Sequence, residues 1–109
     1  MAYDEGLAQR LRDGLADEHG LTERRMFGGV AFMLDGNMAL GVSGDELMVR
    51  AGPDRFDEAL ARSHARIFDL SGRPMKGWVL VAPDGTADDG DLAGWLELGV
   101  SFARSLPPK

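Results

Sequence analysis

The sequence of residues 26–42 is MFGGVAFMLDGNMALGV, and its hydrophobic pattern indicates a β-sheet. Two apolar runs, Met26–Leu34 and Met38–Val42, flank the dipeptide Asp35-Gly36, which is typical of tight turns between antiparallel strands. After a second short turn, a third run follows at Leu47–Arg50. The pattern therefore predicts three consecutive antiparallel strands, which form a β-meander.

Three helices are predicted around these strands. The first covers about Asp4 to Glu18, where leucines recur every four residues. A second begins at Pro53, because proline suits the first position of a helix. A third begins near Asp89, with Asp88 or Asp89 as its N-cap. Its apolar residues have helical spacing: Leu92, Trp95, Leu96, Gly99, Phe102 and Ala103.

Two more strands are predicted at Ile67–Leu70 and Trp78–Ala82, joined by a loop that contains Gly72 to Gly77. With the meander they give an antiparallel sheet of about five strands, a meander plus a hairpin. The predicted fold class is α+β, with three helices packed on this sheet. The length of 109 residues fits a single domain over residues 1–109.

Composition restricts the possible functions. The chain has no cysteine, which excludes disulfides, thiolate metal sites and cysteine nucleophiles. The net charge of −6 disfavours nucleic acid as a direct partner unless the basic residues share one face. No apolar run approaches the ~18 residues of a membrane span. An acidic start without a signal-peptide pattern predicts a cytoplasmic protein.

No catalytic or metal-binding constellation is found. The serines lack a nucleophile-elbow motif, and the histidines, His19 and His64, lie at predicted helix ends. The acidic segment 84–91 resembles a calcium loop, but it lacks the glycine and the glutamate that such a loop needs. A turn followed by a helix N-cap explains it better. We therefore expect a protein that is not an enzyme and has no cofactor and no metal.

Two short basic blocks stand out, RRMFGG at residues 24–29 and GRPMKGW at residues 72–78. In the first, Gly28-Gly29 marks a bulge or a close approach of another element. In the second, Arg73 and Lys76 could bind an anion or an acidic side chain, or pair with a local acid such as Asp69. The residues that we single out as partner- or anion-binding candidates are Arg24, Arg25, Phe27, Arg50, Arg73, Lys76 and Trp78.

Methionines are concentrated in or beside the predicted strands. They are Met26, Met33, Met38, Met48 and Met75. Alternate positions of a sheet are buried, so packing in the core explains them. An adaptable binding face is the alternative, because thioether side chains repack easily.

Taken in order, these segments resemble the N-terminal domain of the TfoX/Sxy family, the regulators of bacterial competence. The resemblance runs from Tyr3 to Lys109. The segments that carry it are residues 25–29 (RMFGG), 32–33 (FM), 36–38 (GNM), 47–50 (LMVR), 72–78 (GRPMKGW) and 102–106 (FARSL). It implies a stand-alone α+β domain with no catalytic residues. Longer members carry a second, C-terminal domain, and their competence role is associated with the cyclic-AMP receptor protein at promoters.

Three functions are compatible with these residues. The first is a non-enzymatic regulatory module that binds an acidic protein partner, such as a component of the transcription machinery, through Arg25, Arg73 and Lys76. The second is a small-molecule sensor for anions or metabolites, or an unrecognised enzyme. The third, direct DNA binding, needs the basic residues on one face. An exposed edge strand would also permit a homodimer.

Overall fold

The structure, a computed structural model, describes residues 3–26, 28–70 and 72–109, and it is built on one antiparallel sheet. Its strands are β1 (Leu21–Met26), β2 (Gly29–Leu34), β3 (Asn37–Ser43), β4 (Glu46–Arg50), β5 (Ala65–Leu70) and β6 (Arg73–Val81). They lie in the order β1-β2-β3-β4-β6-β5. The predicted α+β class, with a meander and a hairpin, is confirmed, and the sheet has six strands where about five were expected.

Three helices pack on one face of the sheet. They are α1 (Glu5–Gly14), α2 (Phe56–Ala61) and α3 (Asp89–Ser105). The predicted cap of α3 is confirmed, because Asp88 accepts from the Asp91 amide at 3.2 Å, and Asp4 caps α1 by accepting from the Leu7 amide at 3.1 Å. The larger core lies between the helices and the sheet. Its fully buried large side chains include Leu11, Phe32, Leu40, Leu47 and Leu98.

Two helices are shorter than predicted. Helix α1 ends at Gly14 rather than near Glu18, which agrees with the unfavourable position of Asp17 and Glu18 at the negative end of a helix dipole. Helix α2 begins at Phe56 rather than at Pro53, because residues 53–55 form a turn that precedes the first buried side chain.

The prediction of one strand over Met26–Leu34 is wrong. Gly28, with φ of 72°, lies in the turn of a hairpin between β1 and β2, and Gly29 begins β2. Strand β1 has no apolar alternation, because it is an edge strand whose residues 22–25 are all exposed. The prediction of a close approach is confirmed at Gly29, where an added Cβ would overlap the carbonyl oxygen of Val42.

The predicted loop from Gly72 to Gly77 is also wrong, because β6 already begins at Arg73. The pairing with β5 is irregular there: Ile67 pairs with Val79, but Phe68 pairs with Met75. Residues 76–78 of β6 therefore form a bulge. Gly77 has φ of 92°, and its carbonyl accepts hydrogen bonds from the amides of residues 51 and 52 at 2.8 and 3.1 Å. The bulge accounts for the loop-like composition of this strand.

A second apolar cluster lies on the face of the sheet away from the helices, which we call the open face. All its described members lie on strands: Ala31, Met33, Met38, Met48, Phe68 and Leu80, with Met26, Met75 and Trp78 partly buried around them. Met48 is only 1% exposed. Packing in a core is thus confirmed for Met33, Met38 and Met48, which belong to a second, smaller core with long, flexible side chains, whereas Met26 and Met75 stay partly exposed beside it.

Candidate functional site

Ion pairing separates the basic residues into two groups. The arginines that form an ion pair with a carboxylate are Arg10, Arg12, Arg55, Arg62, Arg66 and Arg104. Within the described residues, the basic side chains without such a pair are Arg24, Arg25, Arg50, Arg73, Lys76 and Lys109. Every basic candidate from the sequence belongs to this second group. In a chain of net charge −6, these side chains stay available to an external anion.

Arg24 lies on the open face of the sheet. It pairs with Ala31 across the β1–β2 ladder, and residues that are directly paired point to the same side. The same row continues through Gly41, Met48 and Leu80, two of which belong to the apolar cluster. The Arg24 guanidinium therefore lies at the β1 border of the methionine-rich surface.

Arg25 points to the other side. Successive residues of a strand alternate between faces, so Arg25 shares the helix-bearing face with Glu23. Glu23 is bound there by Arg12 of α1, at 2.7 and 3.0 Å. The two adjacent arginines of the RRMFGG block therefore cannot contact one flat partner surface together.

Arg73 belongs to the open face, at the turn end of the β5–β6 hairpin. It lies two residues before Met75, which pairs with Phe68 of the apolar cluster. Strand β6 is four strand positions from β1 in the sheet. The structure therefore does not bring Arg25, Arg73 and Lys76 into one cluster; on the open face it places Arg24 on the edge strand β1 and Arg73 at the turn end of the β5–β6 hairpin. Lys76 is exposed within the bulge.

Arg50 has the most defined surroundings among the candidates. It ends β4 and pairs with Trp78 of β6. Its guanidinium carbon is 5.3 Å from the centre of the Trp78 ring and 5.1 Å from the centre of the Phe102 ring of α3, which are cation–π distances. Trp78 also packs against Phe68, with ring centres 6.4 Å apart. The aromatic contacts thus hold a half-buried guanidinium at the end of the sheet.

The β6 bulge is what brings these side chains together. The hydrogen bonds from residues 51 and 52 to Gly77 tie the bulge to the chain that leaves β4. Gly52 has φ of 78°, and an added Cβ there would overlap the Phe102 ring. The absence of a side chain at Gly52 therefore lets Phe102 approach Arg50. The sequence predicts Phe102 only as an apolar residue of the third helix, and nothing in a single sequence reveals its contact with β4.

One candidate lies outside this account, because Phe27 is not among the described residues. The suggested ion pairs of Arg73 and Lys76 with Asp69 are not found in the described ranges. The open face does carry one paired arginine, Arg66, which Glu46 binds at 2.7 Å. That hydrogen bond raises the pKa of Arg66.

A cleft away from these basic residues lies between the end of α2 and the start of α3. It has a volume of about 500 Å³ and contains His64 and Asp91 with several glycines. His64 adopts φ of 70°, which is unusual for a side chain other than glycine. The described residues contain no cluster of three metal-ligating side chains. In the same part of the chain, no helix is long and apolar enough to cross a membrane.

A pH-dependent contribution arises at Glu58, which accepts hydrogen bonds from Arg55 at 2.8 and 3.1 Å and from Arg62 at 2.9 Å. These bonds lower the pKa of Glu58 to about 2. This pKa is below the value of about 4.3 in the unfolded chain. The ionised Glu58 therefore stabilises the fold fully above about pH 4.3, and this stabilisation is lost as the pH falls towards 2.

We therefore expect Glu58→Gln to be less stable than the parent at pH 6, by an amount that shrinks at pH 3. Urea unfolding at both pH values measures the difference. Asp57→Asn is the control, because it removes an equal charge from the same turn and Asp57 has no described ion pair. A difference for Glu58→Gln that is the same at both pH values would contradict the assignment.

A match to one known family covers most of the chain. Residues 13–103 match the family model of the TfoX N-terminal domain. The chain belongs to the TfoX N-terminal domain family. The match covers both basic blocks, the whole sheet and nearly all of α3. No curated protein matches the chain.

Proposed function

We propose that this TfoX N-terminal domain is a non-enzymatic, regulatory protein-interaction module, and that its open face binds an acidic partner protein. The observation that carries the proposal is the position of Arg24 and Arg73. Both are exposed, neither pairs with a described carboxylate, and they border one methionine-rich surface of an otherwise acidic chain.

The chemistry of this surface supports a protein as the partner. Partly exposed Met26, Met75 and Trp78 offer apolar contact beside the cations. Interfaces are enriched in such residues, with aromatic anchors surrounded by polar groups. Flexible methionines allow the surface to adjust to the shape of a partner. Family membership makes a component of the transcription machinery, in the cytoplasm, the first partner to test.

The experiment is an affinity capture from the source cell's lysate with quantitative mass spectrometry. The test variant is Arg24→Glu/Arg73→Glu, and the control is Arg25→Glu/Lys109→Glu. Both variants change the net charge equally, and all four side chains are exposed and form no ion pair in the described structure. We expect the test variant to lose a partner that the control retains. Equal recovery by both variants would exclude the open face as the binding surface.

A second candidate function is the sensing of a small anion, which the aromatic-bound guanidinium of Arg50 favours. A thermal-shift screen with nucleotides and acidic metabolites tests it, because a bound ligand raises the apparent stability. Direct DNA binding is less favoured, because Arg24 and Arg25 point to opposite faces. Titration with duplex DNA at two salt concentrations would detect it by a salt-dependent affinity.

A further inference from the structure

We propose that Arg50 is a preorganised receptor for a carboxylate, and that its ligand is an aspartate or glutamate side chain of the partner protein. This inference rests on the proposed function and adds to it the residue that recognises the acidic group. The starting observation is that Arg50 is half-buried and that its side-chain N–H groups have no hydrogen-bond acceptor within the described part of the protein.

The two aromatic contacts fix the position of the guanidinium before any ligand arrives. Trp78 and Phe102 attract the cation through their ring faces, at 5.3 and 5.1 Å. Ring faces offer no hydrogen-bond acceptor in the plane of the guanidinium, so the N–H groups along its edge remain available. A positioned guanidinium edge matches a carboxylate, which it can bind with two parallel hydrogen bonds.

The surroundings favour a carboxylate that belongs to a larger molecule. Trp78 is only partly buried, so its exposed edge can contact the apolar part of the side chain that carries the acid. Exposed Lys76 in the adjacent bulge adds positive charge nearby.

The test follows the arginine side-chain Nε–H signals of the intact domain by NMR. The probes are a blocked hexaglutamate peptide, glutarate and inorganic phosphate, added at constant ionic strength. We expect the Arg50 signal to shift along a saturating curve with hexaglutamate. The signal of Arg25, an exposed arginine on the helix-bearing face without a described aromatic contact, is the internal control and should shift weakly and without saturation.

Two variants separate charge from geometry. Arg50→Lys keeps the charge but loses the planar fork, and we expect about a tenfold weaker apparent affinity for hexaglutamate. Trp78→Leu keeps Arg50 but removes one of its aromatic contacts, and we expect a smaller loss, of about threefold. Thermal unfolding of each variant establishes that it is folded before the titration is interpreted.

The outcomes decide between the alternatives. An Arg50 signal that behaves like that of Arg25 would overturn the proposal, and so would unchanged affinity in Arg50→Lys. Saturation by phosphate or glutarate but not by the peptide would replace a protein ligand with a small anion. If Arg50 fails here while the lysate partner still depends on Arg24 and Arg73, the protein-interaction function stands without this receptor. If the peptide saturates Arg50 but no lysate partner depends on Arg24 and Arg73, the carboxylate receptor stands and the proposed function of the open face fails.

Discussion

Gly29→Ala is expected to lower the free energy of unfolding by about 3 kcal/mol, as severe overpacking does. An added Cβ at Gly29 would overlap the carbonyl oxygen of Val42 and come within 3.0 Å of its carbonyl carbon. Both atoms belong to the backbone of the β2–β3 ladder, so they cannot move aside as the end of a flexible side chain can. The change should therefore separate two central strands.

The neighbouring glycine supplies the matched control. Gly28 has φ of 72°, and none of the described atoms lies within 4 Å of an added Cβ. Gly28→Ala should therefore cost only the strain of a left-handed residue, about 1 kcal/mol. Gly44→Ala, with φ of 60° and similarly open space, should behave in the same way. Urea unfolding measures the free energy of unfolding of all three variants. Equal losses would show that the overlap with Val42 is relieved at little cost in free energy.

The sequence predicted the meander correctly because its core strands carry a strong apolar signal. Strands β2, β3 and β4 bury nearly every residue, so continuous apolar runs marked them. Strand β1 has the opposite character: it pairs only with β2 and exposes four polar side chains. The local composition does not indicate the pairing of β1 with β2, because that pairing depends on the turn at Gly28.

The sequence did not reveal the first half of strand β6, for a different reason. Glycine, proline and charged residues between Gly72 and Gly77 have the composition of a loop, and the strand tolerates them through the bulge and an exposed Pro74. Pro74 pairs with edge strand β5. The bulge is stabilised by hydrogen bonds to residues 51 and 52, which are distant in sequence. Such a long-range cause cannot be inferred from a local pattern.

For the candidate site, the sequence identified residue types better than it identified their arrangement. The predicted basic residues are among those without a described ion pair. Their faces could not be assigned, because the side of each residue depends on the register of β1 and on the bulge in β6. The contact between Arg50 and Phe102 joins β4 to α3, and its recognition needed the three-dimensional structure.

Gly52→Ala is expected to destabilise the protein by about 2–3 kcal/mol and to disturb the surroundings of Arg50. Two costs combine: a left-handed backbone, with φ of 78°, and the overlap of the new Cβ with the Phe102 ring. Because the ring must move, its contact with the Arg50 guanidinium is lost. The Arg50 Nε–H signal should therefore shift in the variant even without a ligand.

A double-mutant cycle with Phe102→Leu separates the two costs. Leucine removes the ring that the new Cβ would overlap, so Gly52→Ala should cost only about 1 kcal/mol in that background, the strain of the backbone. The difference between the two backgrounds measures how closely Phe102 approaches Gly52. If Gly52→Ala costs the same in both, the ring does not depend on this glycine. The close packing of Phe102 over the end of β4 would then need another cause. The contact between its ring and Arg50 would not depend on the absence of a side chain at Gly52.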